Sequence, residues 1–188
     1  MKKIIYYHRH GETYFSARNA PYGDKEHEAL LTETGRKQVQ MLGLELARRG
    51  PFDLYLTSPL PRAIQTASIV QNHLNMEMQV EPALVEGIRE PADKIWERVD
   101  KLVQRLISSP QEKILLSTHG YICCVLAALF RGQTRREMSL VNPPTASFGW
   151  IELENGLPRR GCRFSTIHLS PISSETPVNR TALITSAR

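Results

Sequence analysis

Short apolar runs alternate with amphipathic segments along this chain, and that alternation restricts its fold more than any other feature. Ile4-Ile5-Tyr6-Tyr7, Leu54-Tyr55-Leu56 and Ile114-Leu115-Leu116 are too short for buried helices and read as strands. Three sets of residues recur at helical spacing: Val39, Leu42 and Leu46; Ile64, Ala67, Val70 and Leu74; and Ile95, Val99, Leu102 and Leu106. Thr32 reads as the N-cap of the first helix, with Glu33 in its first turn and Gly50-Pro51 beyond its end. Ser58-Pro59 reads as the start of the second. A further helix is predicted over 121–130, and strands over 78–80 and 147–153. The residues between the first strand and Thr32 are polar and irregular, with a turn-rich loop over 19–24. Strands alternating with helices predict one α/β domain with a largely parallel sheet. The predicted domain covers 1–164, and the Ser-, Thr- and Pro-rich residues 165–188 form a loosely ordered tail.

Composition narrows the function classes. The chain has 188 residues, enough for one sizeable core, and a formal charge of +5. Its basic residues are scattered with no aromatic recognition motif beside them, which argues against a nucleic-acid partner and leaves an anionic small molecule. No stretch is long and apolar enough for a membrane span or a signal peptide, so the expected setting is the cytoplasm. Of the three cysteines, Cys123 and Cys124 lie in an apolar stretch and read as small buried hydrophobes. With Cys162 they make neither a disulfide framework nor a metal-ligand spacing.

The chemistry-bearing residues collect where strands end. Arg9-His10-Gly11-Glu12 follows the first strand, and Ser117-Thr118-His119-Gly120 follows the strand at 114–116. An imidazole can attack phosphorus if one ring nitrogen is free and the other is fixed by a hydrogen bond, which a turn carbonyl at Gly11 could accept. The Arg9 guanidinium can grip phosphate oxygens in a fork. Arg62 falls in the first turn of a helix, where a cation is unfavourable by about 0.3–1 kcal/mol unless an anion is bound there. Alone, the two histidine elements fit a buried histidine equally well, and Arg62 fits a solvated arginine better. His8 and His10 also form a His-x-His pair, but no Asp or Glu stands in metal-ligand spacing and the chain is too short for a full eight-unit barrel, so no metal site is expected.

Taken in order, Arg9-His10-Gly11-Glu12-Thr13, the segment from Leu31 to Gln38, the segment from Ser58 to Ala67 and Thr118-His119-Gly120 resemble the histidine phosphatase superfamily, which includes the cofactor-dependent phosphoglycerate mutases. The resemblance implies a three-layer α/β/α sandwich with a largely parallel central sheet. It implies that His10 is the nucleophile that becomes phosphohistidine, and that Arg9, Arg62 and His119 hold the phosphoryl group. Leu84-Val85-Glu86 fits the pattern that carries the proton donor, which makes Glu86 the general acid and base, with Glu90 and Asp93 as rivals. Ser16 stands where many members carry an asparagine, and could donate to a phosphate oxygen. Tyr22-Gly23 replaces a Thr-Gly or Ser-Gly pair, so Gly23 joins the expected substrate-binding set.

The sequence therefore points to a metal-independent phosphomonoesterase that needs no cofactor and acts on a small phosphorylated metabolite. Two other readings share these residues: a mutase, and a silent protein that only binds phosphorylated ligands. Mutases of this type carry a long insertion after the proton donor, and here that region is short, which favours hydrolysis. Leaving-group recognition is expected in the loops at 16–28 and 87–94. Oligomeric state is not legible.

Overall fold

The first strand, β1 (Lys2–Arg9), lies inside the sheet and explains the apolar run that precedes His10. The computed structural model describes residues 2–141, 143–158 and 163–165. After β1 come α1 (Tyr14–Ala17), α2 (Glu33–Ala47), β2 (Leu54–Thr57), α3 (Pro61–Leu74) and β3 (Gln79–Val80). Then follow α4 (Ala92–Ser108), β4 (Lys113–Thr118), α5 (Gly120–Phe130), β5 (Phe148–Glu154), β6 (Leu157–Pro158) and β7 (Arg163–Ser165). Single 3₁₀ turns occupy Gly23–Lys25 and Pro82–Leu84.

The sheet order is β3-β2-β4-β1-β5-β6, with β7 paired to β5. β3, β2, β4 and β1 run parallel, and β5 is antiparallel to β1. Successive side chains of a strand face opposite sides, and the two cores follow that rule. Ile5, Tyr7, Ile114 and Leu116 pack against Val99 and Leu102 of α4 and Ile122 and Leu126 of α5. Tyr6, Tyr55, Leu115 and Phe148 pack on the other face against Val39, Leu42 and Leu46 of α2 and Ala67 and Val70 of α3. The molecule is the α/β/α sandwich that the sequence predicted.

Apart from shifts of a residue or so, the structure departs from the sequence reading in two places. α3 begins at Pro61 rather than at Pro59, and its N-cap Leu60 makes no side-chain cap. The stretch after His10 contains the short helix α1, closed by a capping box between Thr13 and Ser16. Thr32 does cap α2, accepting from the Gly35 N–H. Cys123 and Cys124 are buried free thiols. Cys162 and the predicted tail from 165 onward lie outside the described residues, apart from Ser165 at the end of β7. No described helix is long and apolar enough to cross a membrane.

The parallel strands aim their C-terminal ends at one side of the sheet. β1 and β4 are in register with Arg9 opposite Thr118 and His8 opposite Ser117, and β2 aligns Thr57 with Ser117. His10, Ser58 and His119, each the next or near-next residue, therefore leave the sheet together. This is the usual place for a site in an open parallel sheet.

Candidate active site

His10 is fully buried, and its main chain is fixed from two sides. Its N–H donates to the Thr118 carbonyl at 2.9 Å, and its carbonyl accepts from Ala146 at 3.0 Å. The ring Nδ1 donates to the Gly11 carbonyl at 2.8 Å, the turn acceptor expected from the sequence. That bond leaves the lone pair on Nε2, which has no hydrogen-bond partner among the described residues. Burial first, then the charges of Arg62 and Arg9, hold the imidazole neutral well below its usual range. A neutral ring with one fixed N–H and one bare nitrogen has the form that nucleophilic attack requires.

The segment at 31–38 owes its part in the pattern to clamping that loop. The Glu12 N–H donates to Gln38 Oε1 at 3.0 Å, and the Glu12 carbonyl accepts from the Thr32 N–H at 2.9 Å. Thr32 Oγ1 also donates to the Glu12 carboxylate at 2.7 Å. Gly35 lets α2 approach: a Cβ there would stand 2.1 Å from the Glu12 carbonyl oxygen. Backbone cannot swing aside as a side chain can, so Gly35→Ala is expected to cost about 1–3 kcal/mol of stability. Urea unfolding measures this, and an unchanged midpoint would contradict the clamp.

Arg62 is fully buried at the start of α3. Its Nη2 donates to Glu86 Oε2 at 2.8 Å, and its Nη1 donates to the Glu26 carbonyl at 2.9 Å. The guanidinium stacks on the Tyr22 ring, 4.1 Å from its centroid. The Tyr22 hydroxyl is 2.9 Å from Thr13 Oγ1, and its ring meets His10 edge-on at 6.4 Å. Thr66 joins Arg62 to the loop after His10, donating to the Arg62 carbonyl and accepting from the Gly11 N–H. Arg9, whose Nη1 donates to the Pro143 carbonyl at 2.6 Å, supplies the second guanidinium.

His119 caps α5, with its ring 5.3 Å from that of His10. Its Nε2 is 2.7 Å from Ser58 Oγ, which accepts from the Leu60 N–H. The tautomer of His119 that accepts from the Ser58 hydroxyl carries its proton on Nδ1, the nitrogen that faces Glu86 Oε2 at 3.8 Å. Burial and then Arg62 keep this imidazole neutral too. Ser58 thus serves His119 rather than opening a helix.

The structure places Glu86, and not its rivals, against this pair. Glu90 is held by Arg98 Nε at 2.8 Å, and Asp93 is largely exposed and paired with Arg135 at 2.6 Å. Arg98 also grips the Val85 carbonyl at 2.7 Å, while Thr118 Oγ1 donates to the Leu84 carbonyl at 2.8 Å. The strand end that carries His119 therefore also fixes the turn that carries Glu86. Ser16 spends its hydroxyl on the capping box, accepting from Thr13 N–H at 2.8 Å and donating to the Thr13 carbonyl. Gly23 adopts φ +52° and starts the turn that carries the chain from Tyr22 to Glu26. Tyr22, Glu26, Ser58 and Arg98 went unassigned in the sequence because their contacts are made between distant loops. The signals were the unusual Tyr22-Gly23 pair and the place of Ser58 at the head of the segment from Ser58 to Ala67.

His10, Glu86 and His119 each offer one ligand atom, all within 4.8 Å of one another, so a cation could be held there. His8 stands apart, buried with its Nε2 3.1 Å from the Tyr55 hydroxyl. The buried positive charge of Arg62 and the nearby Arg9 oppose a metal ion and suit an anion. The N-termini of α3 and α5 carry Arg62 and His119 to the same spot and add the same sign.

Known proteins resemble the chain in sequence and in shape. Residues 5–89 match the family model of the histidine phosphatase superfamily (branch 1). A Schizosaccharomyces pombe protein named as a probable phosphatase is 38% identical over 73 residues, which span 38% of this chain and 33% of that protein. An Escherichia coli protein described as an α-ribazole-5′-phosphate phosphatase superposes with a TM-score of 0.74 at 22% identity, covering 87% of this chain and 97% of that one. A mycobacterial glucosyl-3-phosphoglycerate phosphatase complexed with VO3 superposes with a TM-score of 0.67 at 20% identity, covering 90% and 99%. These structural likenesses establish a shared fold.

Proposed function

We propose, from the premise that this chain belongs to the histidine phosphatase superfamily across residues 5–89 and shares that fold beyond them, that it is a metal-independent phosphomonoesterase acting through phosphohistidine. The observation that carries the reading is the bare Nε2 of a buried, neutral His10 beside Arg62, His119 and Glu86.

In the first step His10 Nε2 forms a bond to phosphorus as the bond from phosphorus to the leaving oxygen breaks. The departing oxygen takes a proton from Glu86. Arg9, Arg62 and the Nδ1–H of His119 neutralise the phosphoryl oxygens, whose charge is spread in the transition state. Because Arg62 Nη2 donates to Glu86, an incoming phosphoryl group competes for that donor and turns the carboxyl toward the leaving group. In the second step Glu86 takes a proton from water, the new oxygen–phosphorus bond forms, and the bond to Nε2 breaks. Inorganic phosphate leaves and His10 is neutral again. Residues 87–91 are all that separates Glu86 from α4. So short a link supports water entry, and hence hydrolysis over transfer to a second substrate.

The expected result is an acid-labile phosphoenzyme after neutral quenching of a reaction with radiolabelled phosphomonoester. It should form in the presence of a metal chelator and release phosphate rather than an isomer. A chelator-sensitive reaction, or a phosphoenzyme that forms without His10, would overturn the mechanism. Dominant isomerisation of a phosphorylated sugar acid would restore the mutase.

A further inference from the structure

A cleft of about 430 Å³ opens directly beside Glu86. That is within the range of small-molecule sites, and it lies between the two loops where a leaving group would sit. Its walls are the rings of Tyr22 and Tyr121 and the aliphatic side chains of Ile88 and Ile95. Its ionisable side chains other than tyrosine are two carboxyl groups, Glu86 and Glu90, and no Lys, Arg or His is among the described residues lining it. The cations close by are already committed. Arg98 holds Glu90, and Arg89, largely exposed at the rim of the adjoining cavity, lies against exposed Asp24, outside the cleft lining. Arg62 sits behind the Tyr22 ring with two carboxylates against it.

A leaving group that carried its own carboxylate would bring that charge onto apolar walls beside Glu90, with no cation among the described lining residues to pair it. Burying an unpaired anion is far costlier than burying a hydrocarbon. A flat apolar group meets two rings and two branched aliphatic chains. We propose that this cleft selects phosphate monoesters of uncharged apolar or aromatic alcohols and rejects phosphorylated sugar acids. The proposal rests on the phosphatase reading above and adds its substrate class. Continuity with the reacting centre identifies the occupant, because Glu86 and Tyr22 belong to both.

Benzyl phosphate, glycerol 3-phosphate and 3-phosphoglycerate test this, since all three release a primary alcohol of similar reactivity. The expected order of kcat/KM is benzyl phosphate first and 3-phosphoglycerate last, with roughly 100-fold or more between them. Ile88 is 43% exposed, so Ile88→Lys should fold, and it should narrow that ratio by about tenfold. An equal or reversed preference in the wild type, or an unchanged ratio in Ile88→Lys, overturns the proposal. Absence of turnover with all three esters would sink the phosphatase reading instead. Calorimetric binding to the wild type and to Ile88→Lys then decides the cleft. Tighter binding of benzyl phosphate than 3-phosphoglycerate, weakened by the lysine, supports it, and equal binding refutes it.

Discussion

Glu86→Gln is expected to release about one 4-nitrophenol per protein in a rapid burst from 4-nitrophenyl phosphate and then to turn over slowly. Nitrophenolate departs without a proton, so the first step needs little from Glu86. The second step still needs a base to take the proton from water, and the phosphoenzyme accumulates. An alkyl phosphate should show no burst, because its leaving oxygen must be protonated, and its kcat should fall by about 10²–10⁴-fold. His10→Ala is expected to lower kcat on either ester by about 10³-fold or more and to show no burst. Stopped-flow absorbance of the released nitrophenolate reads the aryl ester, and quenched-flow measurement of alcohol and phosphate release reads the alkyl ester. A Glu86→Gln protein that loses activity equally on both esters, with no burst, would remove Glu86 from both proton transfers. A His10→Ala protein near the wild-type rate would end the phosphohistidine mechanism.

These experiments bear on residues that differ in how readable they were. His10 was legible because a strand of only a few apolar residues delivers it, and both the run and the glycine after it are local features. The role of Leu31 to Gln38 was visible only as a pattern. Its physical meaning, a helix start pressed onto the Glu12 backbone through Gly35, required the two segments to be seen together. Ser58 shows the converse. A serine before a proline looks like a helix start, yet here Pro61 takes the first helical position and Ser58 Oγ orients His119 across 61 residues of sequence. Ser16 was expected to donate to a phosphate oxygen, and its hydroxyl also serves a feature the sequence did not show, the capping box of a four-residue helix. Such a helix is too short for periodicity to register. Tyr22 was noted only as a departure, and its place under the Arg62 guanidinium depends on the turn at Gly23.

Acid should destabilise this fold well above the pH at which carboxylates titrate. Three histidines, His8, His10 and His119, are completely buried. Burial pushes His8 down to about 4, against the weaker pull of the Arg9 carbonyl. His10 and His119 shift in the same direction, with Arg62 adding to burial. For a base whose folded value is depressed, the unfolded chain binds the proton first. Stability is therefore complete above about pH 6.5 and drains away as pH falls toward the folded values. At pH 5, His8 alone should cost about 2 kcal/mol, at roughly 1.4 kcal/mol per pH unit, and the other two add losses of the same sign. The carboxylates with depressed values, Glu33, Glu97 and Glu137, are exposed and lose their contributions only below 4.5, outside this window. Urea unfolding at pH 7.5, 6.5, 5.5 and 5.0 reads the effect, in buffers without phosphate, which would stabilise the folded site by binding it. The slope of stability against pH should exceed that of one proton, and His8→Gln should remove about one proton's worth. A flat profile between pH 7 and 5, or an unchanged slope in His8→Gln, would contradict the buried neutral histidines. The same desolvation that leaves His10 Nε2 without a partner thus predicts an acid-labile fold. Relieving it at His8, which touches no reacting atom, should improve acid tolerance without changing the mechanism at His10.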